Sequence, residues 1–233
     1  MSLPLNATAL IVGAGSGLSA SIARAFTGAG MTIALAARSI DDLAPLAREI
    51  GAKAFACDAS KPDDVATLFA KVAQDVGEPE AVVYNASYRV RGPLVDLDPA
   101  EVQKSLAISA FGGFLVAQQA ARRMVPRGRG VILLTGASAS LKGYAQSASF
   151  AMGKFALRGL AQSIARELGP QGIHVAHFII DGGIRSARRV DAPGQPDSML
   201  DPDAIAATYL QVLQQPKSAW SFEVDLRPWV EKF

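Results

Sequence analysis

One cysteine, Cys57, and two histidines, His174 and His177, are all that 233 residues contain of thiol and imidazole side chains. A lone cysteine excludes an intrachain disulfide and leaves no cysteine-based metal spacing, which fits a cytoplasmic setting. The two histidines lie three apart in a β-rich run, hence on opposite faces, which argues against a shared metal site. No stretch of about eighteen apolar residues occurs, so no membrane-spanning helix is expected. The opening MSLPLN lacks the charged start and apolar core of a signal peptide. Neither sign of charge dominates: 23 basic against 21 acidic residues give a net +2 with no long block of either. That balance argues against nucleic acid or membrane as a partner. Arg122, Arg123, Arg127 and Arg129 do cluster, but beside Pro126, Gly128 and Gly130 they read as a helix end and solvated loop. Internal repeats, low-complexity tracts and long linkers are missing as well, so residues 1–233 read as a single domain.

What is present is a core-forming composition, 50% hydrophobic, arranged in alternation. Short apolar runs at Ala9 to Val12, Met31 to Ala36, Ala81 to Tyr84, Val131 to Leu134 and Val175 to Ile180 are separated by helical patterns. The helices are expected from Leu18 to Thr27, Asp42 to Ile50, Pro62 to Val76, Pro99 to Met124, Ser147 to Leu168 and Pro202 to Leu213. Aspartates 41, 98 and 201 stand at cap positions, and several helices begin on proline. Apolar strands alternating with helices imply an α/β protein, a Rossmann-type doubly wound parallel sheet. The one long irregular piece, Arg185 to Leu200, together with the helix that follows to about residue 215, is expected to form a substrate loop and helix.

The first strand runs into GAGSGLS, where Gly13, Gly15 and Gly17 open a helix with Ser16 and Leu18. Such a turn lets the backbone approach a pyrophosphate at a helix N-terminus, the signature of a dinucleotide site. At the end of the second strand, where an NAD site usually places an acid, the sequence has Arg38 and Ser39. A guanidinium there pairs with a 2'-phosphate, which favours NADP over NAD. The alternative is that Arg38 is an ordinary loop residue and Asp41 or Asp42 reaches back to the ribose.

With these motifs in order, the chain resembles the short-chain dehydrogenase/reductase family over nearly its whole length. The glycine turn resembles G-x-x-x-G-x-G, with Ser19 in place of the last glycine. The resemblance implies that Asp58 contacts adenine, that Asn85 in YNAS stands in the N-N-A-G motif, and that Gly182 and Ile184 in IIDGGIRS help seat the nicotinamide amide. It also implies that Lys154 occupies the lysine of the catalytic Asn, Ser, Tyr and Lys group and reaches the nicotinamide ribose. The other three positions depart from the family: Ser109 stands for the asparagine, Ala137 for the serine and Phe150 for the tyrosine.

Phenylalanine has no proton to give and alanine cannot hydrogen-bond a substrate oxygen, so any turnover needs a changed proton route. Candidates for it are Ser138 if the strand slips by one residue, Tyr144 in the loop ahead of the helix, Asp181 beside the expected nicotinamide end, or water, while Lys154 keeps its catalytic-site role of reaching the ribose. Two functions stay open: an NADP(H)-dependent oxidoreductase acting on an unidentified carbonyl or alcohol, and a noncatalytic NADP(H)-binding sensor or partner protein. The resemblance further implies a homodimer or homotetramer. Arg185, Arg188 and Arg189 either favour an anionic group or form a solvated loop.

Overall fold

Every residue of β1 (Thr8–Val12) is buried, yet its side chains serve two different cores because successive Cβ atoms point to opposite faces. Leu10 and Val12 join one apolar cluster, while Ala9 and Ile11 join another. The computed structural model describes residues 6–231. Met1–Leu5, which hold most of the MSLPLN opening, and Lys232 and Phe233 lie outside the described residues.

Around β1 the chain adds β2 (Thr32–Ala37), β3 (Lys53–Ala56), β4 (Pro79–Tyr84), β5 (Gly130–Thr135), β6 (Ile173–Ile180) and β7 (Glu223–Leu226). These form a parallel sheet in the order β3-β2-β1-β4-β5-β6-β7. The helices are α1 (Leu18–Gly28), α2 (Ala44–Ile50), α3 (Pro62–Asp75), α4 (Pro99–Leu106), α5 (Gly112–Met124), α6 (Ala148–Leu168) and α7 (Pro202–Leu213). Apolar residues of α1, α2 and α7 cover one face of the sheet, and those of α3, α5 and α6 cover the other. Both faces being dry explains why the central strands read as unbroken apolar runs. The order reverses between β1 and β4, and in such sheets ligands bind beyond the strand ends at that reversal.

The expected α/β architecture is the observed one, with local corrections. The edge strands β3 (KAFA) and β7 (EVDL) escape an apolar-run reading because each has one neighbour strand and a partly exposed pattern. The helix expected from Asp42 begins as a 3-10 turn, Asp41–Leu43, and becomes α-helical at Ala44. Asp98 and Asp201 cap α4 and α7 by accepting from the amides of Ala100 and Asp203, whereas Asp41 lies inside its turn. The span from Pro99 to Met124 is interrupted by a π-turn at Ala107–Phe111, a distortion that often accompanies a functional site. Its partner is tertiary: the Tyr84 hydroxyl on β4 donates to the Ile108 carbonyl, which the wider turn offers outward.

The arginines after α5 do more than face water. Arg127 and Arg129 both bond Glu80, a carboxylate on a residue only 6% exposed, and Arg123 pairs with Glu78 at 2.9 Å. A buried carboxylate needs such partners. The segment after β6 is irregular apart from bridges between Ile184 and Leu200 and between Ser186 and Arg189.

Gly112 marks the closest approach of the π-turn to the sheet. A Cβ there would lie 2.4 Å from the Tyr84 hydroxyl and 2.7 Å from the Ala59 carbonyl oxygen. Gly112→Ala is therefore expected to lower unfolding free energy by about 1–3 kcal/mol through overpacking, read by urea denaturation. An unchanged midpoint would mean that the turn has slack the packing does not show.

Candidate active site

The glycine turn is fixed from three sides. Gly13 has φ +82, and a Cβ on it would fall 2.3 Å from the Ala86 amide nitrogen, so both conformation and space require glycine. The amides of Gly13 and Ala14 donate to the Ala36 carbonyl, each at 2.9 Å. Ser19, which replaces a family glycine, is buried and donates its hydroxyl to the Gly13 carbonyl at 3.0 Å, while Asn85 Nδ2 donates to Ser19 Oγ at 2.7 Å. The substitution thus adds a polar tie between β1, α1 and the end of β4.

Over this turn opens a cleft of about 840 Å3. Gly13, Gly15, Ser16, Arg38, Ser39, Asp58 and Asn85 all line it, together with Asp42, Tyr88 and Ile108. A Cβ added to Gly15 or Gly17 would meet no atom within 4 Å, so open space stands where a pyrophosphate would approach the α1 N-terminus. Gly17 is the residue preceding α1, and Leu18 turns into the core at 6% exposure. Arg38 is exposed and forms no ion pair with a described residue. The Asp58 carboxylate is held below its ordinary range first by the Ser60 hydroxyl, at 2.7 Å, and then by the Ser60 amide, Lys61 and Arg38. The Cys57 thiol, also in the cleft wall, is pushed up to about 12 by burial and stays protonated.

Lys154 is brought into the interior by α6. It is 3% exposed, and its Nζ donates to the Thr135 carbonyl at the end of β5 at 2.7 Å. Burial pulls its pKa down from 10.5 to about 8, and among the described residues no carboxylate pairs with it. The Phe150 ring lies one turn earlier on α6, with its centroid 5.7 Å from Lys154 Nζ. Helix α6 comes close to α4 and the π-turn because position 153 is glycine; a Cβ there would stand 2.8 Å from Ser109 Cβ. Ser109 is fully buried and engages the backbone of Tyr88, accepting from its amide at 3.2 Å.

The other candidates are placed as follows. Ala137 is extended, with φ −159 and ψ 172, and Ser138 begins a 3-10 turn, Ser138–Ser140, that follows β5. Tyr144 is 44% exposed in the loop ahead of α6, with the Lys142 ammonium 5.6 Å from its ring centre. Asp181 is buried and lies 3.8 Å from Arg227 Nη2. Gly182 and Ile184 follow it at the end of β6, packed near Pro228 and bridged to Leu200, outside the cleft lining. His174 and His177 point to opposite sides of β6, and no cluster of metal-binding side chains occurs among the described residues.

Two features were not singled out from the sequence. Arg89 lies with its guanidinium carbon 4.7 Å from the centre of the Phe150 ring and donates from Nη2 to Ser147 Oγ at 3.1 Å. The signal was SYRVRG, two arginines directly after the Asn85 motif without a nearby acid. Behind the Ala137 position, His177 Nδ1 meets Glu223 Oε2 at 3.1 Å, and Glu223 is clamped by Arg158 at 2.7 and 2.8 Å. A pure acceptor at Nδ1 keeps the proton there and turns the Nε2 lone pair to Ser140 Oγ at 3.5 Å. Burial pushes His177 down to about 4, so it is neutral near pH 7. A Cβ at Gly136 would sit 2.3 Å from His177 Nε2, which confines that position to glycine. Only the tertiary pairing of β6 with β7 brings these residues together.

Residues 7–192 match the family model described as short chain dehydrogenase. The chain belongs to the short-chain dehydrogenase/reductase family. A crystal structure of a short-chain dehydrogenase from Rhodopseudomonas palustris is 36% identical, with 97% of this chain and 100% of that one covered and a TM-score of 0.84. A metagenomic short-chain oxidoreductase in complex with NADP is 28% identical over 96% of this chain and 97% of its own, also with a TM-score of 0.84. Tropinone reductase-like 1 of Erythroxylum coca is 33% identical over 178 residues, which make up 72% of this chain and 64% of that protein. The chain thus spans just under two thirds of that relative's length.

The depressed Lys154 pKa has a signed consequence for stability. Between about 8 and 10.5 the unfolded chain binds a proton that the folded one does not, so this lysine's contribution to stability rises with pH across that window. Below about 8 its desolvation penalty is present in full. Wild type is therefore expected to gain stability relative to Lys154→Met as pH is raised from 7.5 to 10, in urea unfolding of both proteins. Parallel curves would show that the lysine is solvated in solution.

Proposed function

We propose that the protein is an NADP(H)-dependent oxidoreductase acting on a small carbonyl or alcohol, with Lys154 taking over the proton-handling role of the missing phenol. The observation that carries this is a buried, carboxylate-free lysine beside Phe150, its Nζ on the Thr135 carbonyl at the end of β5 and its pKa drawn down by burial to about 8. A group with pKa near the working pH is what general acid-base chemistry needs. Support for the cofactor comes from the open glycine turn, from Arg38 with no competing ion pair, and from relatives solved with NADP or 5-hydroxy-NADP.

In this reading the Gly13–Ser16 backbone, with Gly17 and Leu18 opening α1, holds the pyrophosphate, and Arg38 and Ser39 take the 2'-phosphate. Asp58 faces the adenine, Asn85 and Lys154 address the nicotinamide ribose, and Gly182 and Ile184 border the nicotinamide amide. When bound, the cofactor supplies or accepts a hydride. Lys154 holds the ribose as an ammonium and gives a proton from Nζ to the nascent alkoxide; in the reverse direction its neutral amine accepts one. Ser138, Tyr144 and Asp181 are the other proton sources proposed for this pocket. The exposure of Tyr144 and the Arg227 pairing of Asp181 favour Lys154 over them. Exposed Phe111, Phe114, Met152 and Phe155 on and beside α5 and α6 support assembly as a homodimer or homotetramer, and we place the protein in the cytoplasm.

The second reading, a noncatalytic NADP(H) sensor or partner, is favoured by Ala137 and Phe150, which retain the space of the reactive site without its hydroxyls. A screen of NADPH oxidation over ketones and aldehydes separates the two. Turnover is expected to fall as pH rises through about 8 and to drop about a hundred- to ten-thousandfold in Lys154→Met. Cofactor binding without turnover across the screen would leave the sensor reading. Arg38→Ala is expected to reduce the preference for NADPH over NADH at least tenfold. An unchanged preference would return the ribose to Asp42, which lines the same cleft. Phe150→Tyr combined with Ala137→Ser is expected to raise ketone reduction in a folded, NADPH-binding protein; no gain would mean that these two positions do not face the substrate.

A further inference from the structure

Among the described residues Arg89, Arg91 and Arg189 have no acidic partner. Arg89 is the anchored one: its guanidinium covers the Phe150 ring at 4.7 Å and bonds Ser147 Oγ at 3.1 Å. The segment carrying it is stitched to the start of α6, because Ser149 Oγ donates to the Val90 carbonyl at 3.0 Å and the Gly92 amide donates to the Gln146 carbonyl at 3.2 Å. Its guanidinium is lowered from the ordinary value first by partial burial and then by the positive charges of Arg91 and Arg189. Arg91 stands two residues along the same segment, and the charge of Arg189 bears on Arg89 from a loop a hundred residues later in sequence.

The loop that contributes Arg189 contains the acids able to neutralise such a cluster, but they are committed elsewhere. Asp191, Asp197 and Asp201 all lie on Arg185, at 3.3, 3.8 and 2.5 Å. Arg89, Arg91 and Arg189 form no ion pair with any described residue. Like charges gathered without counter-charge are unfavourable unless something answers them. An arginine keeps its proton in any such setting, so the cluster cannot relieve itself by deprotonation.

We propose that the substrate is anionic, a small carbonyl compound bearing a carboxylate or phosphate that Arg89 holds with the help of Arg91 and Arg189. This rests on the pocket assigned above, and it names the class of molecule that enters it. The Phe150 ring is the shared landmark: Arg89 lies 4.7 Å from its centre and Lys154 Nζ lies 5.7 Å from it. Those two distances put Arg89 and Lys154 Nζ no more than about 10 Å apart, a separation that a short oxo acid bridges with its anion on the first and its carbonyl toward the second. Phenylalanine suits this arrangement because the ring face is a platform for the guanidinium, and Arg89 retains donors beyond the one given to Ser147 for a bidentate contact with an oxyanion.

The test is a calorimetric titration of 4-oxopentanoate, acetonyl phosphate and the neutral 4-oxopentanamide into the free protein and into the protein saturated with NADP+. It is run with wild type, Arg89→Gln, Arg89→Lys and an Arg91→Gln/Arg189→Gln double variant. At least one anion is expected to bind tenfold or more tightly than the amide. That ratio is expected to collapse toward one in Arg89→Gln, to survive in part in Arg89→Lys, and to shrink in the double variant, with the better anion identifying carboxylate or phosphate. Equal binding of anions and amide, no anion binding at millimolar concentration, or full discrimination in both glutamine variants would overturn the proposal. NADPH affinity measured on the same wild-type sample separates the two failures: loss of cofactor binding sinks the oxidoreductase reading, whereas retained cofactor binding without charge discrimination sinks only the anionic substrate.

Discussion

The burial of one ammonium constrains how α6 packs against the end of β5. Lys154 is nine-tenths and more removed from water, and its Nζ donates to the Thr135 carbonyl at 2.7 Å. To keep a lysine there, α6 must lie close to the π-turn, which glycine at 153 permits, and β5 must end with an outward carbonyl. Thr135 is itself held from the other side of the sheet, its hydroxyl 2.8 Å from that of Tyr209 on α7, which stacks on Phe178. The same desolvation that is unfavourable for the charge brings the pKa to about 8, so the structural penalty and the chemical poise have one origin.

Cations stand around the Phe150 ring. Lys154 Nζ lies 5.7 Å from its centre and the Arg89 guanidinium 4.7 Å from it. Beneath the Ala137 position, the neutral His177 is oriented by Glu223 and Arg158, and Ser140 accepts from the Ala137 amide at 3.2 Å. This chain braces the turn after β5 and fills the space under Gly136. Ser19 plays the corresponding part at the nucleotide end, where Asn85 and the Gly13 carbonyl meet on its hydroxyl.

The alternating architecture was legible because central parallel strands are dry on both faces and their helices carry proline and aspartate start signals. Seven residues singled out in the sequence, Gly13, Gly15, Ser16, Arg38, Ser39, Asp58 and Asn85, come from turns whose composition is dictated locally, and all seven line one cleft. What sequence could not reveal depends on pairing at a distance. The π-turn within the helix at 99–124 follows from a tyrosine on β4. The edge strands lack an apolar signature. The His177–Glu223 contact requires β6 to lie beside β7, and the stacking of Arg89 on Phe150 joins residues separated by α4, α5 and β5.

The most direct test of the central claim is the titration of Lys154 itself, followed by NMR on protein carrying 13C-labelled lysine side chains, with and without NADP+. The account predicts one lysine resonance that titrates near pH 8, well below the others, that vanishes in Lys154→Met and that shifts when NADP+ is added. A protein whose lysines all titrate together near 10.5, or whose low-pKa lysine ignores NADP+, would contradict it.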